Sequence, residues 1–313
     1  MALAVEEAIL AENGTLDMPQ MVERVLARQL GWSAAGIEDL INALIWIRNH
    51  MLEAKFRDYK RYVTDQEWAK IYSDYQNRYA INPRESDKVS AALVAQAIAE
   101  RQPFAWKPRV LDIGCSTGNF LRHLNRVLPD AALSGGDLMA LVIDKCRTDP
   151  TLEGISFEIM DVFAIPNRLQ FDAIVANAVN VYFEPDEYLR ALKSISAALH
   201  AGGTYIAYEW VFPREREQRH IEKSQAHPEG LKFWFRSEDF IQRVFREAGF
   251  AEVSVIPFEI PIDLPKPIPN GTDADLATYT VIDPVTNRRL MYRGDLYQPW
   301  AHIVARRGAT PQQ

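Results

Sequence analysis

The sequence predicts an α/β fold: a seven-stranded sheet with helices on both faces, preceded by an α-helical N-terminal region. Three observations predict it. From Arg109 onward short β-rich runs alternate with amphipathic helical segments, the pattern of a parallel sheet with crossover helices. One apolar run, RVLDI (109–113), leads straight into a glycine-rich turn and then a helix. Ahead of residue 102 the apolar positions keep a helical period instead.

The N-terminal helices are placed at 21–30 (MVERVLARQL) and along Leu40, Leu44, Ile47 and Met51. Thr64 and Glu67 have capping-box spacing and open a third helix with Trp68, Tyr72, Tyr75 and Tyr79 on one face, stopped by Pro83. A fourth, about 86–101, uses Val89, Leu93 and Ala97 before Pro103 and Pro108 break the pattern. Strands follow at 109–113, 131–136, 155–160, 171–177 and 204–210, separated by helices at 119–127, 138–147 and 186–200. Pro185 suits the first turn of the last of these helices. Ser237 caps a helix that Gly249 closes, ahead of strands at 250–258 and 300–306. The last two strands are separated by a long connection, so that pair can be antiparallel. Pro261, Pro265, Pro267 and Pro269 make 260–271 a loop, and TYTVI and RRLMYRG around DPVTN suit a hairpin. The expected organisation is a helical region at 1–102, serving as lid, substrate-side element or dimerisation surface, and a sheet domain at 103–313. Insertions fall near 211–236 and 259–298.

Composition narrows the function. With 313 residues, 48% hydrophobic and 25% charged, the chain has the means to bury a core in one large domain or two ordinary ones. A net charge of −7 supplies no basic field for a phosphate backbone, so nucleic acid is not the expected partner. Cys115 and Cys146 are too few for a disulfide framework and lack zinc-site spacing, which suits a cytoplasmic protein. Glu6 and Glu7 interrupt what an export signal needs, and no apolar run approaches the roughly 20 residues of a membrane span.

The informative segment is RVLDIGCSTGNFLRHL (109–124), which brings backbone N–H groups and a helix N-terminus to the carboxyl end of a strand. A dinucleotide fingerprint fails there, because Ser116 and Asn119 occupy two of its glycine positions. GCSTG does satisfy the nucleophile-elbow pattern, so a serine hydrolase built on Ser116 is the rival reading. Against it, the upstream chain is helical and offers no oxyanion loop, and His302, the late histidine, sits in a strand pattern. Asp137 weighs the other way. It ends the second strand, 23 residues after Gly114, where a carboxylate can accept both hydroxyl protons of a ribose.

Taken in order, these segments resemble the class I, Rossmann-like S-adenosylmethionine-dependent methyltransferases, closely over 105–210 and more loosely over 237–306. VLDIGCSTG has the shape of that family's first motif, with Asp112 in the acidic position and Gly114 and Gly118 as the outer glycines; Ser116 replaces the usual middle glycine. The resemblance implies S-adenosylmethionine as cofactor and S-adenosylhomocysteine as product, bound by this loop with Cys115 and Ser116. It assigns the ribose to Asp137 with Leu138 beside the nucleoside, and the adenine to Asp161 and Val162. It sets Asn177, at the end of the fourth strand, next to the sulfonium. LHAGGTYIAYE (199–209) then feeds the fifth strand.

The implied activity is in-line methyl transfer to oxygen or nitrogen. Asn177-Ala178 is not followed by the Pro-Pro-aromatic sequence of amino-methylating DNA enzymes, which with the negative charge favours a small or sugar-like acceptor. Asn180 and Tyr182 are the candidate acceptor contacts. His227 is the preferred general base, because Pro228 and Gly230 favour a fixed turn, with His220 and Glu209 as competitors. Tyr79 is a further candidate over the methionine end. No metal cluster is expected, since the acids at 112, 137 and 161 are assigned to the cofactor. A homodimer is compatible with the sequence, and a non-catalytic adenosine-binding protein is a third reading.

Overall fold

The computed structural model describes Ser73, Gln76 and residues 79–101, 107–166, 170–213, 217–222, 231–260, 278–282, 286–293 and 296–308. The chain divides into two compact units, Met1–Asp58 and Tyr59–Gln313, and every described residue lies in the second. The helices expected at 21–30 and along 40–51, with most of the one carrying Tyr72 and Tyr75, fall outside the described residues.

Helix α1 (Glu85–Glu100) precedes strand β1 (Arg109–Ile113), α2 (Asn119–Val127), β2 (Ala132–Asp137), α3 (Ala140–Thr148), β3 (Ser156–Ile159) and β4 (Phe171–Asn177). Then come α4 (Pro185–Ala198), β5 (Leu199–Phe212), β6 (Gln218–Glu222), β7 (Leu231–Ser237), α5 (Glu238–Glu247) and β8 (Phe250–Pro257). Strands β9 (Thr278–Ile282), β10 (Arg289–Arg293), β11 (Leu296–Tyr297) and β12 (Trp300–Arg307) complete the described chain. The main sheet runs β3-β2-β1-β4-β5-β12-β8. Strands β1 to β5 pair in parallel, and β12 lies antiparallel between β5 and β8. The α/β fold and the antiparallel final pair are as the sequence predicts.

Helix ends follow local chemistry. Ser237 Oγ accepts from Phe240 N at 3.2 Å to cap α5, and Gly249 takes φ +94 just past its end. Pro185 stands in the first turn of α4, where its missing N–H costs nothing. Side chains alternate across the sheet: Val110 enters the apolar cluster under α1, α2 and α3, whereas Leu111 and Ile113 enter the one under α4 and α5. Six of the seven residues of β4 are buried, as a central strand covered on both faces requires.

Two expectations need correction. Among the described residues the sheet has nine strands rather than seven, because β7 pairs in parallel with the end of β5 (Val211↔Arg236, Phe212↔Ser237) and β6 pairs with β7. The described residues of the first insertion therefore include two strands; Phe233 and Phe235 of β7 pack around Trp210 of β5. Strand β5 also starts at Leu199 instead of 204. Leu199 is fully buried and pairs with Phe171, and a bulge with Gly202 at φ +70 carries the chain to the main register at Thr204. The expected hairpin in the second insertion is present: β9 and β10 pair antiparallel, with β11 added to make a small separate sheet.

Helix α1 is fastened to the sheet at both ends. At its C-terminal end Arg101 Nη1 donates to Asp172 Oδ1 at 2.9 Å, and the other oxygen of this fully buried carboxylate accepts from Arg109 N at 2.9 Å. At its N-terminal end the fully buried His302 brings Nε2 to 3.0 Å from Ser90 Oγ and 3.3 Å from Ser86 O. Ser86 O only accepts, so Nε2 carries the proton, while Nδ1 has no partner among the described residues. Burial lowers the His302 pKa to about 4, against the opposing pull of the Ser86 carbonyl and the Asp87 charge.

A histidine held neutral in the folded state loses stability as pH falls, because the unfolded chain takes up the proton first, from its ordinary value near 6.5 downward. The loss grows from about pH 6.5 to about pH 4 and reaches about 2 kcal/mol at pH 5. Urea unfolding of wild type and His302→Gln at pH 7 and pH 5 checks this: the drop between the two pH values should shrink by that amount in the variant. An equal drop in both proteins would show that His302 titrates normally.

Candidate functional site

The strand order reverses at β1, which has β2 on one side and β4 on the other, opening the crevice in which open α/β sheets bind ligands. The turn after β1 lies there. Gly114, Ser116 and Gly118 take φ of +76, +46 and +72, a left-handed run that L-residues resist. Gly114 N and Cys115 N donate to Gly136 O at 2.7 and 3.1 Å, which ties the turn to the end of β2. A Cβ on Gly114 would come within 2.5 Å of Val179 Cγ2, so this turn is packed against the one after β4. Gly118 begins α2 with no side-chain cap, leaving first-turn amides available at the crevice. The side chain of Asn119, next in line, donates to Gln76 O at 2.6 Å.

Asp137, at the end of β2, is held by the same turn. One carboxylate oxygen accepts from Ser116 N and the other from Met139 N, each at 2.9 Å. Each oxygen keeps a lone pair for a further donor. Burial raises its pKa, and the backbone N–H groups of Met139, Ser116 and Leu138 oppose the rise. Asp112 points to the α1 side of β1 and is 2% exposed. Burial drives its carboxyl well above the ordinary range, and Asp87 and Asp137 add to this while Arg84 counters it. Arg84 pairs with Asp87 at 3.0 Å and covers the Tyr79 ring, 5.4 Å from its centroid. Cys115 and Cys146 are buried thiols. Burial raises both, Cys146 to about 12, and its Sγ donates to Ser116 O at 3.3 Å, so neither has thiolate character.

The remaining predicted cofactor residues lie at the ends of β3 and β4. Asp161 Oδ1 accepts from Phe163 N at 2.9 Å and starts a 3-10 turn over Val162–Ala164, in which Val162 is buried. Asn177 Oδ1 accepts from Ser90 Oγ at 3.3 Å. Ser90 therefore links His302 to Asn177, with its hydroxyl accepting from Nε2 and donating to the amide oxygen. Ala178 follows at φ +55, a strained position for alanine, and its N–H is held by Tyr208 O at 2.8 Å. Leu138 is half-buried beside Asp137.

On the acceptor side the structure brings Asn180 and Glu209 together. Asn180 Nδ2 donates to Glu209 Oε1 at 3.1 Å and to Tyr205 Oη at 2.7 Å, and Tyr188 Oη donates to Glu209 Oε1 at 2.8 Å. Both Asn180 and Glu209 are 1% exposed. Burial raises the Glu209 pKa, opposed first by Arg236. Arg236 Nη1 donates to Asn180 O at 3.3 Å and Nη2 donates to Phe183 O, so the guanidinium grips both ends of the turn after β4. It also lies 4.3 Å from the Tyr188 ring centroid. Sequence reasoning missed Arg236, Tyr188 and Tyr205. A cation set between Phe235 and Ser237 in an aromatic strand was the available signal for Arg236.

Tyr182 is half-buried, its ring 5.6 Å from that of Phe233. His220 lies apart from the Glu209 network, on β6; it stacks edgewise on Phe235 at 4.4 Å and shares a 3.1 Å hydrogen bond with Gln218. Burial lowers its pKa. His227 lies outside the described residues. The Ser116 hydroxyl, on which the hydrolase reading depends, is buried and has no hydrogen-bond partner among the described residues. A nucleophilic serine needs a base within hydrogen-bond reach.

Residues 110–203 match the sequence family described as a methyltransferase domain. A carboxy-S-adenosyl-L-methionine synthase of Campylobacter curvus (strain 525.92) is 30% identical over 131 residues, 41% of this chain and 55% of that protein. A malonyl-[acyl-carrier protein] O-methyltransferase of Magnetococcus marinus is 33% identical over 115 residues, 35% of this chain and 42% of that protein. The chain thus spans about half the length of these curated relatives. Among solved structures, an S-adenosylmethionine-dependent methyltransferase from Clostridium acetobutylicum ATCC 824 aligns with TM-score 0.47 at 12% identity, over 76% of this chain and all of that one. With the strand order, the glycine turn and the acid at the end of β2, the family match identifies residues 110–203 as a methyltransferase domain of the class I, Rossmann-like kind.

Proposed function

We propose that this chain binds S-adenosylmethionine across the carboxyl ends of β1 to β4 and transfers its methyl group to oxygen or nitrogen of a small-molecule or sugar-like acceptor. The observation that carries the reading is Asp137, a carboxylate fixed by two backbone N–H groups beside a left-handed glycine turn. The residues fit an adenosine-bearing cofactor: Ser116 Oγ and Thr117 Oγ1 are buried without partners among the described residues, and the turn at Gly114 has no space for a side chain. The Campylobacter relative, by its name, belongs to the chemistry of the same cofactor.

S-adenosylmethionine, when bound, supplies a methyl carbon activated by its sulfonium. Asp137 then accepts from the ribose hydroxyls with the lone pairs its backbone donors leave open. Asp161 accepts from the adenine amino group, with Val162 against the base. Gly114, Cys115, Ser116 and Gly118 present backbone to the cofactor, and Asp112 sits beneath them. Asn177, oriented through Ser90, borders the reacting centre. Asn180 and Tyr182 form the acceptor side. His227 receives the proton that the acceptor oxygen or nitrogen gives up, and His220 is the second candidate. Glu209, enclosed by Asn180, Tyr188 and Arg236, holds the turn after β4 in shape. In-line positioning provides most of the rate.

Calorimetry with S-adenosylmethionine and S-adenosylhomocysteine tests the cofactor. Asp137→Ala should weaken both by tenfold or more, since each hydrogen bond to a charged group is worth about 1.5–3 kcal/mol. Unchanged affinity in a folded variant would remove the basis of this reading.

Ser116→Gly separates the two enzyme classes. Glycine suits the φ of +46 at this position, so cofactor affinity and methyl transfer should persist. Covalent labelling of Ser116 by a serine-reactive phosphonate, with loss of turnover in the variant, would instead support a hydrolase.

Acceptors are found by mass spectrometry as products heavier by one methyl group. With such an acceptor, His227→Ala should lower turnover and leave S-adenosylhomocysteine affinity nearly intact. Normal turnover across a pH series would clear His227 and turn attention to His220.

A further inference from the structure

Across the ends of β5 and β8 and the start of β12 lies a cleft with about 480 Å³ of empty space, open solvent included. The strand register fixes its position. Asn177 pairs with Tyr208, whereas Ala301 and Pro257, which line the cleft, stand level with Glu209, and Val211 is two residues further along β5. The cleft therefore lies over β5, β12 and β8 rather than over β4, and its wall on β5, Val211, is three residues past Tyr208, the partner of Asn177. Val211 and Ala301 belong to the core under α4 and α5 and Val255 packs against it, so the cleft opens on the same face of the sheet as Glu209.

Its roof comes from the second insertion, where Arg288, Arg289, Leu290 and Met291 lie over the ends of β8 and β12. Met291 is 4% exposed, and its carbonyl accepts from Gln298 N at 2.8 Å, which binds the roof to the start of β12. The lining surface is polar and apolar in similar measure. Arg289 Nη1 donates to Thr280 Oγ1 at 3.4 Å. Arg288 is half-buried, lines the cleft, and has no hydrogen-bond or ion-pair partner among the described residues. Glu238, exposed in the first turn of α5, is the acid among the described lining residues.

We infer that this cleft binds a small molecule bearing a carboxylate on a partly apolar body, with Arg288 as its counter-ion. The apolar walls take the body, and the planar guanidinium matches a carboxylate in shape and charge. Glu238 disfavours a dianion such as phosphate, whereas a single negative charge suits the Arg288 guanidinium. The inference concerns the ligand class of the cleft and does not rest on the methyl-transfer reading.

The test uses benzoate and 3-phenylpropionate as probes, with benzamide and 3-phenylpropanamide as their uncharged counterparts. Binding to the full chain is followed by ligand-observed NMR, with and without S-adenosylhomocysteine. The better carboxylate should bind wild type about tenfold more tightly than its amide, the worth of one charge-assisted hydrogen bond. Arg288→Met should abolish that preference, and Leu290→Trp should exclude acid and amide alike. Neither substitution should change S-adenosylhomocysteine affinity. Equal binding of acid and amide to wild type, a preference that survives Arg288→Met, or no binding of either carboxylate at millimolar concentration would overturn the inference. If wild type fails to bind S-adenosylhomocysteine, the methyl-transfer reading falls, while the acid-to-amide ratio without it still decides the ligand class.

Discussion

The site depends on the hydrogen bonds between the end of β2 and the turn after β1. Gly136 O takes the N–H groups of Gly114 and Cys115, and Asp137 takes that of Ser116, so two strand ends and one carboxylate are locked together. Glycine is required on both sides of this junction. Side chains on Gly135 and Gly136 would strike Phe157 and Met160 at 2.6 and 2.9 Å, and one on Gly114 would strike Val179. Close backbone approach is thus bought with positions that carry no side chain at all. The left-handed turn that results has no reason to exist for packing alone, since it leaves two hydroxyls buried without partners among the described residues.

A second set of interactions shapes the far side of the crevice from a distance. Arg236 comes from β7, more than 50 residues after the turn it grips, and Lys232 of the same strand pairs with Glu184 at the start of α4. The first insertion therefore braces the turn after β4. Its aromatic face, with Trp210 stacked on Phe235 at 4.7 Å and set against Trp300 at 4.6 Å, makes the brace rigid.

What was legible in the sequence follows from these two distances. The glycine turn, Asp137, the cap at Ser237 and the strands β1 and β4 are set by neighbouring residues, and their boundaries could be read from composition and period. The length of β5 and the strand character of β7 depend on pairing partners far along the chain, Phe171 for one and Val211 with Phe212 for the other. The link from His302 through Ser90 to Asn177 spans more than 200 residues, and nothing local to any of the three marks it. Asn180 and Glu209 were singled out one at a time; that they share a hydrogen bond, and that Arg236 stands behind them, is a property of the folded chain.

The place of β12 carries a consequence for how the molecule is made. This strand sits inside the sheet, between β5 and β8, yet it comes later in the chain than every strand it joins. While the polypeptide emerges from the ribosome, the parallel half from β3 to β5 can assemble early, but β8 has no neighbour until Trp300–Arg307 has been synthesised. In that interval β5 and β8 each present an unpaired edge, the kind of surface that attracts wrong partners. His302 arrives with this last strand, so the latch on α1 and the orientation of Asn177 are set only when the sheet is closed.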